Sequence, residues 1–271
     1  MTPISLAHLT VIDLAPPQMV ELAAKVGYDR VGLRLIRVTD TTPGYALHED
    51  PAALRATRAA LDDTGITVND IEFVRLTPDF NPEALLPFLN AGAILGARHV
   101  ICAPYDPDLS RLSDNLAALH ALARPYGLSC VLEFFPWTNI PDLRVARSAV
   151  ERTGAENVGI LIDTLHFDRS GSSLADLEDV PALRLPFLHL CDAMVNPPYS
   201  LEQLLHAGRV ERLPPGEGQI DLQAILSRLP KGLPIALEVP MTGFLAREGD
   251  FQSAKRVLDA ARKVLAASGR P

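Results

Sequence analysis

The sequence predicts a single closed (β/α)8 barrel, a TIM barrel, that takes in residues 1–271. Short apolar segments alternate with amphipathic segments along the whole chain, which indicates a parallel sheet with helices between its strands. There are eight such pairs, and 271 residues are a normal length for one barrel of eight units. No change in composition marks a second domain, so one barrel accounts for the chain.

The eight apolar segments are predicted to be the strands. Most of them are aliphatic or β-branched on both faces, as expected when both faces of a parallel strand are covered. In chain order they are residues 4–10, 30–35, 67–73, 99–103, 129–134, 158–163, 187–191 and 235–239.

The amphipathic segments are predicted to be helices, and glycine follows the first five of them directly. These five segments are residues 18–26, 51–64, 82–95, 114–126 and 143–153, and the glycines are Gly27, Gly65, Gly96, Gly127 and Gly154. Glycine is favoured just past a helix because it adopts the left-handed conformation at little cost. Three further helices are predicted at residues 174–180, 221–229 and 251–267.

Net charge and the absence of certain motifs limit the classes of molecule that the protein is expected to bind or act on. The formal net charge is −8, whereas affinity for a nucleic-acid backbone comes mainly from clustered Lys and Arg, so no nucleic-acid partner is expected. No GxGxxG, GxxxxGK[ST] or GxSxG motif occurs, which removes the main support for a nucleotide-dependent enzyme or a serine hydrolase.

Cysteine usage and the N-terminus predict a cytoplasmic location. Cys102, Cys130 and Cys191 are odd in number, lie in apolar segments and form no CxxC pair, as expected of reduced thiols. The first residues lack the basic and apolar regions of a secretory signal. No apolar run approaches the roughly 20 residues needed to span a bilayer, so no membrane partner is expected.

Four of the last strands end in a residue that can bind a metal ion: Glu133, Asp163, His189 and Glu238. The carboxyl ends of barrel strands meet at one mouth, so these four side chains are predicted to surround one divalent ion. Three carboxylates and one imidazole form an oxygen-rich set that suits Mn²⁺, Mg²⁺ or Co²⁺. Zn²⁺ is the alternative, since it also binds these ligands.

Further polar and aromatic residues lie in segments that lead to the same mouth, and they are candidates for binding a small substrate. The loop arginines Arg209 and Arg212 could clamp a carboxylate or a phosphate. The candidates for substrate binding are His166, Asp192, Glu72, Arg209, Glu217 and Trp137.

Five short motifs resemble the xylose isomerase-like TIM barrel superfamily. They are LEF at 132–134, DTLH at 163–166, HLCDA at 189–193, PGEG at 215–218 and LEVP at 237–240. The superfamily takes in sugar phosphate isomerases and epimerases, ketose 3-epimerases, inosose-processing enzymes, 3-dehydroshikimate dehydratases and the AP endonucleases of family 2. The resemblance covers nearly the whole chain, and its motifs indicate the superfamily more strongly than the substrate.

The resemblance to the ketose 3-epimerases implies that Glu133, Asp163, His189 and Glu238 hold one metal ion. It also implies that the two glutamates move protons and that His166 contacts the substrate. Two positions depart from those epimerases: Val195 stands where they carry an arginine, and Asn139 where they carry a second glutamate. Both departures count against a free ketohexose as substrate. Enzymes of this superfamily form dimers and tetramers, which implies a homodimer or a homotetramer.

The resulting hypothesis is an isomerase or epimerase that works through an enediolate, with Glu133 and Glu238 as the acid and base. Its substrate would be a sugar, a sugar phosphate or a ketone derived from a polyol. A metal-dependent dehydratase of an inosose or a 3-dehydroshikimate-type compound is the alternative, because the same enolate can expel a β-hydroxyl as water. A sugar-binding barrel without turnover and an AP endonuclease are less favoured hypotheses, and the PGEG segment lacks the additional histidines that an AP endonuclease needs.

Overall fold

Eight parallel strands close into one barrel in the computed structural model, which describes residues 2–39 and 41–270. Each strand pairs with its neighbours in chain order, and the eighth pairs with the first. The strands are β1 (Ile4–Ala7), β2 (Arg30–Arg34), β3 (Thr67–Leu76), β4 (His99–Pro104), β5 (Ser129–Glu133), β6 (Gly159–Asp163), β7 (Leu188–Leu190) and β8 (Ile235–Leu237). The predicted (β/α)8 fold is confirmed.

Ten α-helices lie in the described residues, two more than the sequence predicts. They are α1 (Pro16–Val26), α2 (Pro51–Thr64), α3 (Leu86–Leu95), α4 (Leu109–Ala123), α5 (Leu143–Arg152), α6 (Thr164–Arg169), α7 (Leu174–Glu178), α8 (Leu201–Arg209), α9 (Leu222–Arg228) and α10 (Thr242–Ala267). The additional helices are α6 and α8, which follow β6 and β7. Both therefore lie on the side of the barrel where the strands end.

Two predicted boundaries differ from the structure for identifiable reasons. The first strand ends at Ala7 instead of residue 10, because His8–Val11 form a 3₁₀ helix. In this turn the Thr10 hydroxyl donates to the Leu237 carbonyl and accepts the Val239 N–H, each at 2.9 Å, which ties the segment to β8. The last helix begins at residue 242 instead of 251 and is interrupted at Gly249, which has φ 79°.

The predicted helix terminators adopt the conformation for which glycine is favoured. Gly27, Gly65, Gly96, Gly127 and Gly154 all have positive φ, between 66° and 100°. At Gly27 the backbone N–H also bonds the Ala23 carbonyl and so closes the last turn of α1. The prediction of a glycine directly after the α-helix is confirmed at Gly27, Gly65 and Gly96, whereas Gly127 follows a 3₁₀ turn after α4 and Gly154 follows Thr153 after α5.

Alternation along the strands separates the interior of the barrel from its helix-covered face. The inner layer consists of Phe73, Ile101, Ala103, Val131, Phe135, Leu161, Phe187 and Ala236. Successive strand residues point to opposite faces, so residues two apart share a face. Each of the four candidate ligands lies two positions after an inner apolar residue and therefore faces the interior at the mouth of the barrel; they are Glu133, Asp163, His189 and Glu238. No helix within residues 2–39 and 41–270 is long and apolar enough to cross a membrane.

Close packing inside the barrel predicts that Gly32 in β2 does not tolerate a side chain. Gly32 pairs in register with Asp70 of β3, and a Cβ at residue 32 would lie 2.5 Å from Asp70 Oδ1. We expect Gly32→Ala to lower the free energy of unfolding by about 1–3 kcal/mol in urea titrations, since overpacking a buried site forces neighbours to move. The control is Gly243→Ala in α10, where the nearest atom is 3.8 Å from the added Cβ. An equal effect at both positions would contradict the packing argument.

Candidate metal centre

The side chains of Glu133, Asp163, His189 and Glu238 converge at the mouth of the barrel. Each offers one ligand atom, and these four atoms lie within 4.8 Å of one another. Glu133 and Asp163 are the last residues of β5 and β6, His189 lies in β7, and Glu238 directly follows β8. All four are at most 5% exposed. The structure thus brings together the complete set predicted from the sequence.

Unpartnered buried atoms indicate that this cluster suits a cation. Both ring nitrogens of His189 and Oε1 of Glu133 have no hydrogen-bond partner among the described residues. His189 Nδ1 lies 3.6 Å from Glu238 Oε2 and 3.8 Å from the nearest oxygens of Glu133 and Asp163. A buried polar atom without a partner is costly. Ligands at opposite sides of a divalent ion lie about 4.2 Å apart, so small side-chain movements would place all four around it.

The protonation of the metal-free cluster follows from its crowding. Burial favours neutral His189, but the carboxylates of Glu238, Glu133 and Asp163 outweigh it and raise the pKa of His189 to about 10. Burial also raises the pKa of Glu133 well above its usual value, and the neighbouring carboxylates of Glu238 and Asp163 increase the shift. When no metal ion is bound, a protonated His189 therefore offsets part of the negative charge of the neighbouring carboxylates.

Asp163 is fixed by the local structure that follows β6. Its Oδ1 accepts the backbone N–H groups of Leu165 and His166, at 2.7 and 3.2 Å, and so caps the N-terminus of α6. This cap explains why a short helix begins directly after the strand. The motif DTLH thus orients the carboxylate and also sets His166 on the first turn of the helix.

Arg212 is buried between two of the candidate ligands. Its Nη1 donates to Asp163 Oδ2 at 2.7 Å, and its Nη2 lies 2.9 Å from Glu238 Oε2. Its remaining donors bond the carbonyls of Ala207, Gly208 and Glu238. Burial opposes ionisation of Asp163 and Glu238, yet the Arg212 guanidinium outweighs it and holds the pKa of both carboxyls below the usual range. Arg212 therefore clamps carboxylates of the protein itself.

A cavity of about 380 Å³ opens onto the cluster and is lined by Glu133 and Glu238. Three of the predicted substrate-binding residues also line it: His166, Trp137 and Arg209. The aromatic wall of the cavity consists of Phe73, Tyr105, Phe135 and Trp137. The Phe135 and Trp137 rings are stacked, with centroids 5.0 Å apart. The cavity thus has aromatic side chains on one side and the carboxyl groups of the cluster at its base.

Two polar groups in the cavity wall have no protein partner in the described part of the chain. They are the ring nitrogen Nδ1 of His166 and the indole Nε1 of Trp137. The His166 ring stands edge-on to Phe135 and Trp137, with centroids 4.8 and 5.2 Å away. Burial lowers the pKa of His166 to about 4, so its ring is neutral near pH 7. Both are therefore buried polar groups whose hydrogen-bonding capacity the described part of the protein does not use.

The other three predicted substrate-binding residues lie outside the cavity lining. Asp192 is buried, and its carboxylate accepts the backbone N–H groups of residues 193, 216, 218 and 220 at 2.8–3.0 Å. Glu217 pairs with Arg256 at the surface, where both side chains are 38% exposed. Glu72 is buried behind Arg34, whose Nε donates to it at 3.1 Å. For Asp192 and Glu217 the structure shows roles in holding the loop after β7, because backbone donors and Arg256 already occupy their carboxylates.

Sequence analysis missed Arg34, which lines the cavity and is only 5% exposed. A signal was present in the sequence, because Arg34 ends β2 and lies two residues after Gly32, whose α-carbon faces the barrel interior. Arg34 thus holds the inner-facing position at the carboxyl end of β2, the same place that Glu133 and Asp163 hold in β5 and β6.

Comparisons with known proteins agree with the fold. A family model described as xylose isomerase-like TIM barrel matches residues 20–262. The inosose isomerase of Bacillus velezensis is 26% identical over an alignment of 226 residues, and the match covers 78% of this chain and 78% of that protein.

Solved structures with the same fold include an IolI protein with bound zinc, which has a TM-score of 0.80 at 19% identity and covers 98% of this chain and 99% of that protein. The 3-keto-D-glucoside 4-epimerase of E. coli has a TM-score of 0.71 at 17% identity over 98% of this chain and all of that protein, 100%. At these identities the two structures support the shared fold alone.

The protonation of the metal-free cluster predicts that metal uptake releases protons. Ligands must be deprotonated to bind; His189, with a pKa of about 10, carries a proton at pH 7, and the raised pKa of Glu133 favours its protonated form. We expect release of up to about two protons per ion and an apparent metal affinity that rises with pH between 6 and 8. Calorimetry in buffers of different ionisation enthalpy measures both. A proton count near zero with a pH-independent affinity would contradict this account.

The hydrogen bonds of Asp192 predict that its substitution acts on stability. In Asp192→Asn the amide group would face backbone donors, and we expect the free energy of unfolding to fall by about 2–3 kcal/mol while metal affinity stays unchanged. Asp63→Asn, at an exposed position on α2, is the matched control. Normal stability combined with a raised KM would instead support the direct substrate contact predicted from the sequence.

Proposed function

Because the chain belongs to the xylose isomerase-like TIM barrel family, we propose that it is a divalent-metal-dependent isomerase or epimerase. Its proposed substrate is a sugar, a sugar phosphate or a ketone derived from a polyol. The observation that carries the proposal is that Glu133 and Glu238 line one cavity and also belong to the four-residue cluster. Two carboxylates at one reacting centre are what proton transfer to and from carbon requires.

The residues that would hold the ion are Glu133, Asp163, His189 and Glu238. Mn²⁺, Mg²⁺ or Co²⁺ suits the three carboxylates, and Zn²⁺ is the alternative. When bound, the ion supplies a Lewis acid for a substrate carbonyl and so lowers the cost of forming an enediolate. A relative with this fold contains zinc, which supports a divalent ion.

The two glutamates are proposed as the acid and base. One takes a proton from the carbon beside the carbonyl, and the other returns a proton to the intermediate. They come from β5 and β8, three strands apart in the barrel, so they approach a bound molecule from different directions. A single base would serve only one face of the carbon, whereas epimerisation needs two.

The cavity wall is proposed to select the substrate. Phe135 and Trp137 offer a flat apolar surface to the C–H face of a ring, and the free Nδ1 of His166 and Nε1 of Trp137 can bond ring hydroxyls. Arg209 at the rim can contact a more distant oxygen. The inosose isomerase relative supports a cyclic polyol ketone within this class.

Exchange of substrate hydrogen with solvent deuterium tests the proposal. We expect metal-loaded enzyme in D₂O to incorporate deuterium into at least one member of a panel of inososes, ketoses and ketose phosphates, and the chelated enzyme to incorporate none. Glu133→Gln and Glu238→Gln should each lower the exchange rate by about 100-fold or more, since each removes a proton-transfer group. Mass spectrometry of recovered substrate measures the exchange.

The control is Glu151→Gln on the exposed surface of α5, which should exchange at the wild-type rate. A product with new ultraviolet absorbance would assign the protein as a dehydratase instead. Full exchange by a Glu238→Gln enzyme that still binds metal would contradict the two-base assignment.

A further inference from the structure

We propose that Arg34 binds the substrate oxygen attached to the carbon whose proton Glu238 transfers. This inference rests on the proposed function and adds to it a cationic residue for that same site. Four observations lead to it: the burial of Arg34, its anchoring at both ends, its free donors and its distance from Glu238.

Arg34 is anchored through its backbone by His8. The Arg34 N–H donates to Nδ1 of His8 at 2.8 Å, and Nε2 of the same ring lies 2.9 Å from the Leu14 carbonyl. The carbonyl can only accept, so Nε2 carries the proton and Nδ1 is the acceptor. Burial lowers the pKa of His8 to about 4, which keeps this arrangement intact near neutral pH.

The side chain of Arg34 is anchored by Glu72. Its Nε donates to Glu72 Oε1 at 3.1 Å, and its Nη2 lies 3.1 Å from the same oxygen. The two residues are register partners on β2 and β3, so the strand pairing itself brings them together. Glu72, which the sequence predicted as a substrate ligand, therefore acts through Arg34 as a positioning residue.

The anchored guanidinium keeps donors free at the cavity. Both contacts to Glu72 use one edge of the group, and Nη1 has no acceptor within the portion of the chain that the structure describes. Arg34 lines the cavity, and its Nη2 lies 4.0 Å from Glu238 Oε1. A substrate carbon within reach of Glu238 thus carries its oxygen close to Arg34.

A guanidinium at the position of Arg34 would stabilise the negative charge that develops in the proposed reaction. When a proton leaves the carbon beside a carbonyl, negative charge grows on the attached oxygens, and a fixed donor stabilises that charge best in a site with little water. The partner Glu72 and the depth of the site hold the guanidinium in place before the reaction. Its contact should therefore favour the transition state more than the bound ketone, and kcat should depend on it more strongly than KM.

Variants of Arg34 test the inference in the metal-loaded enzyme. We expect Arg34→Ala to lower kcat for deuterium exchange by about 100-fold and Arg34→Lys by about tenfold, because lysine keeps the charge but loses the planar fork. Glu72→Gln should cause a smaller loss through a less fixed guanidinium. Metal affinity should stay within about threefold of wild type, since Arg34 makes no hydrogen bond to a candidate ligand.

Chemical rescue separates a direct contact from a purely structural role. Millimolar guanidinium chloride should restore part of the Arg34→Ala activity but should not affect the wild type or Arg34→Lys. The matched control is Arg58→Ala on the exposed face of α2, which should keep wild-type activity with and without guanidinium. If Arg34→Ala does not fold, Arg34→Lys still tests the inference through its kcat.

A binding measurement adds a readout that does not need turnover. Trp137 is the only tryptophan of the chain and lines the cavity, so its fluorescence reports occupancy. An inosose should bind the wild type and should bind Arg34→Ala more weakly. Wild-type kcat and affinity in Arg34→Ala and Arg34→Lys would overturn the assignment of Arg34 alone. Wild-type enzyme that neither binds nor exchanges any compound of the panel would overturn the proposed function and this inference together.

Discussion

The burial of three carboxylates and one imidazole within 4.8 Å of one another is the constraint on which the rest of the site depends. Like charges at this separation in a poorly solvated place repel strongly, and desolvation disfavours each charged form. The protein offsets this with a protonated His189 and with Arg212, whose guanidinium bonds two of the carboxylates. A divalent ion would neutralise the same charge, which is why the cluster suits one.

The groups around the cluster differ in polarity with depth in the barrel. Below the cluster, inner residues such as Leu161 and Phe187 are apolar and fully buried, although Asp70 beside Gly32 adds a buried carboxyl group. At the level of the cluster, two buried arginines reach Glu238 from different sides, Arg212 from the loop after β7 and Arg34 from β2. Only Arg34 has donors left for a ligand, because all the donors of Arg212 meet oxygens of the protein. Arg212 thus bonds groups of the protein itself, whereas Arg34 keeps donors for a ligand.

The long connection after β7 is held in place by two of its own side chains, Asp192 and Arg212, which bond its backbone. Asp192 gathers backbone donors from both sides of Gly216, and Arg212 bonds the last turn of α8. Gly208 in that turn packs against Trp137, where an added Cβ would lie 2.8 Å from the indole. The loop therefore carries a wall of the cavity and fastens it to the candidate ligands through one guanidinium. Asp192 and Glu217 were singled out as site residues because their chemistry fits a ligand, yet backbone N–H groups of the loop occupy the Asp192 carboxylate and Arg256 of α10 pairs with Glu217.

The barrel and the four candidate ligands could be predicted from the amino-acid sequence, because both follow from local periodicity. Strand residues two apart share a face, so Glu133 continues the inner face of Val131, and Asp163 that of Leu161. Local periodicity could not predict which polar groups pair with one another. Arg212 meets Asp163 across 49 residues, and Arg34 meets Glu72 across 38. Such partners are selected by three-dimensional packing and by the need to neutralise buried charge, and no spacing within one segment encodes them.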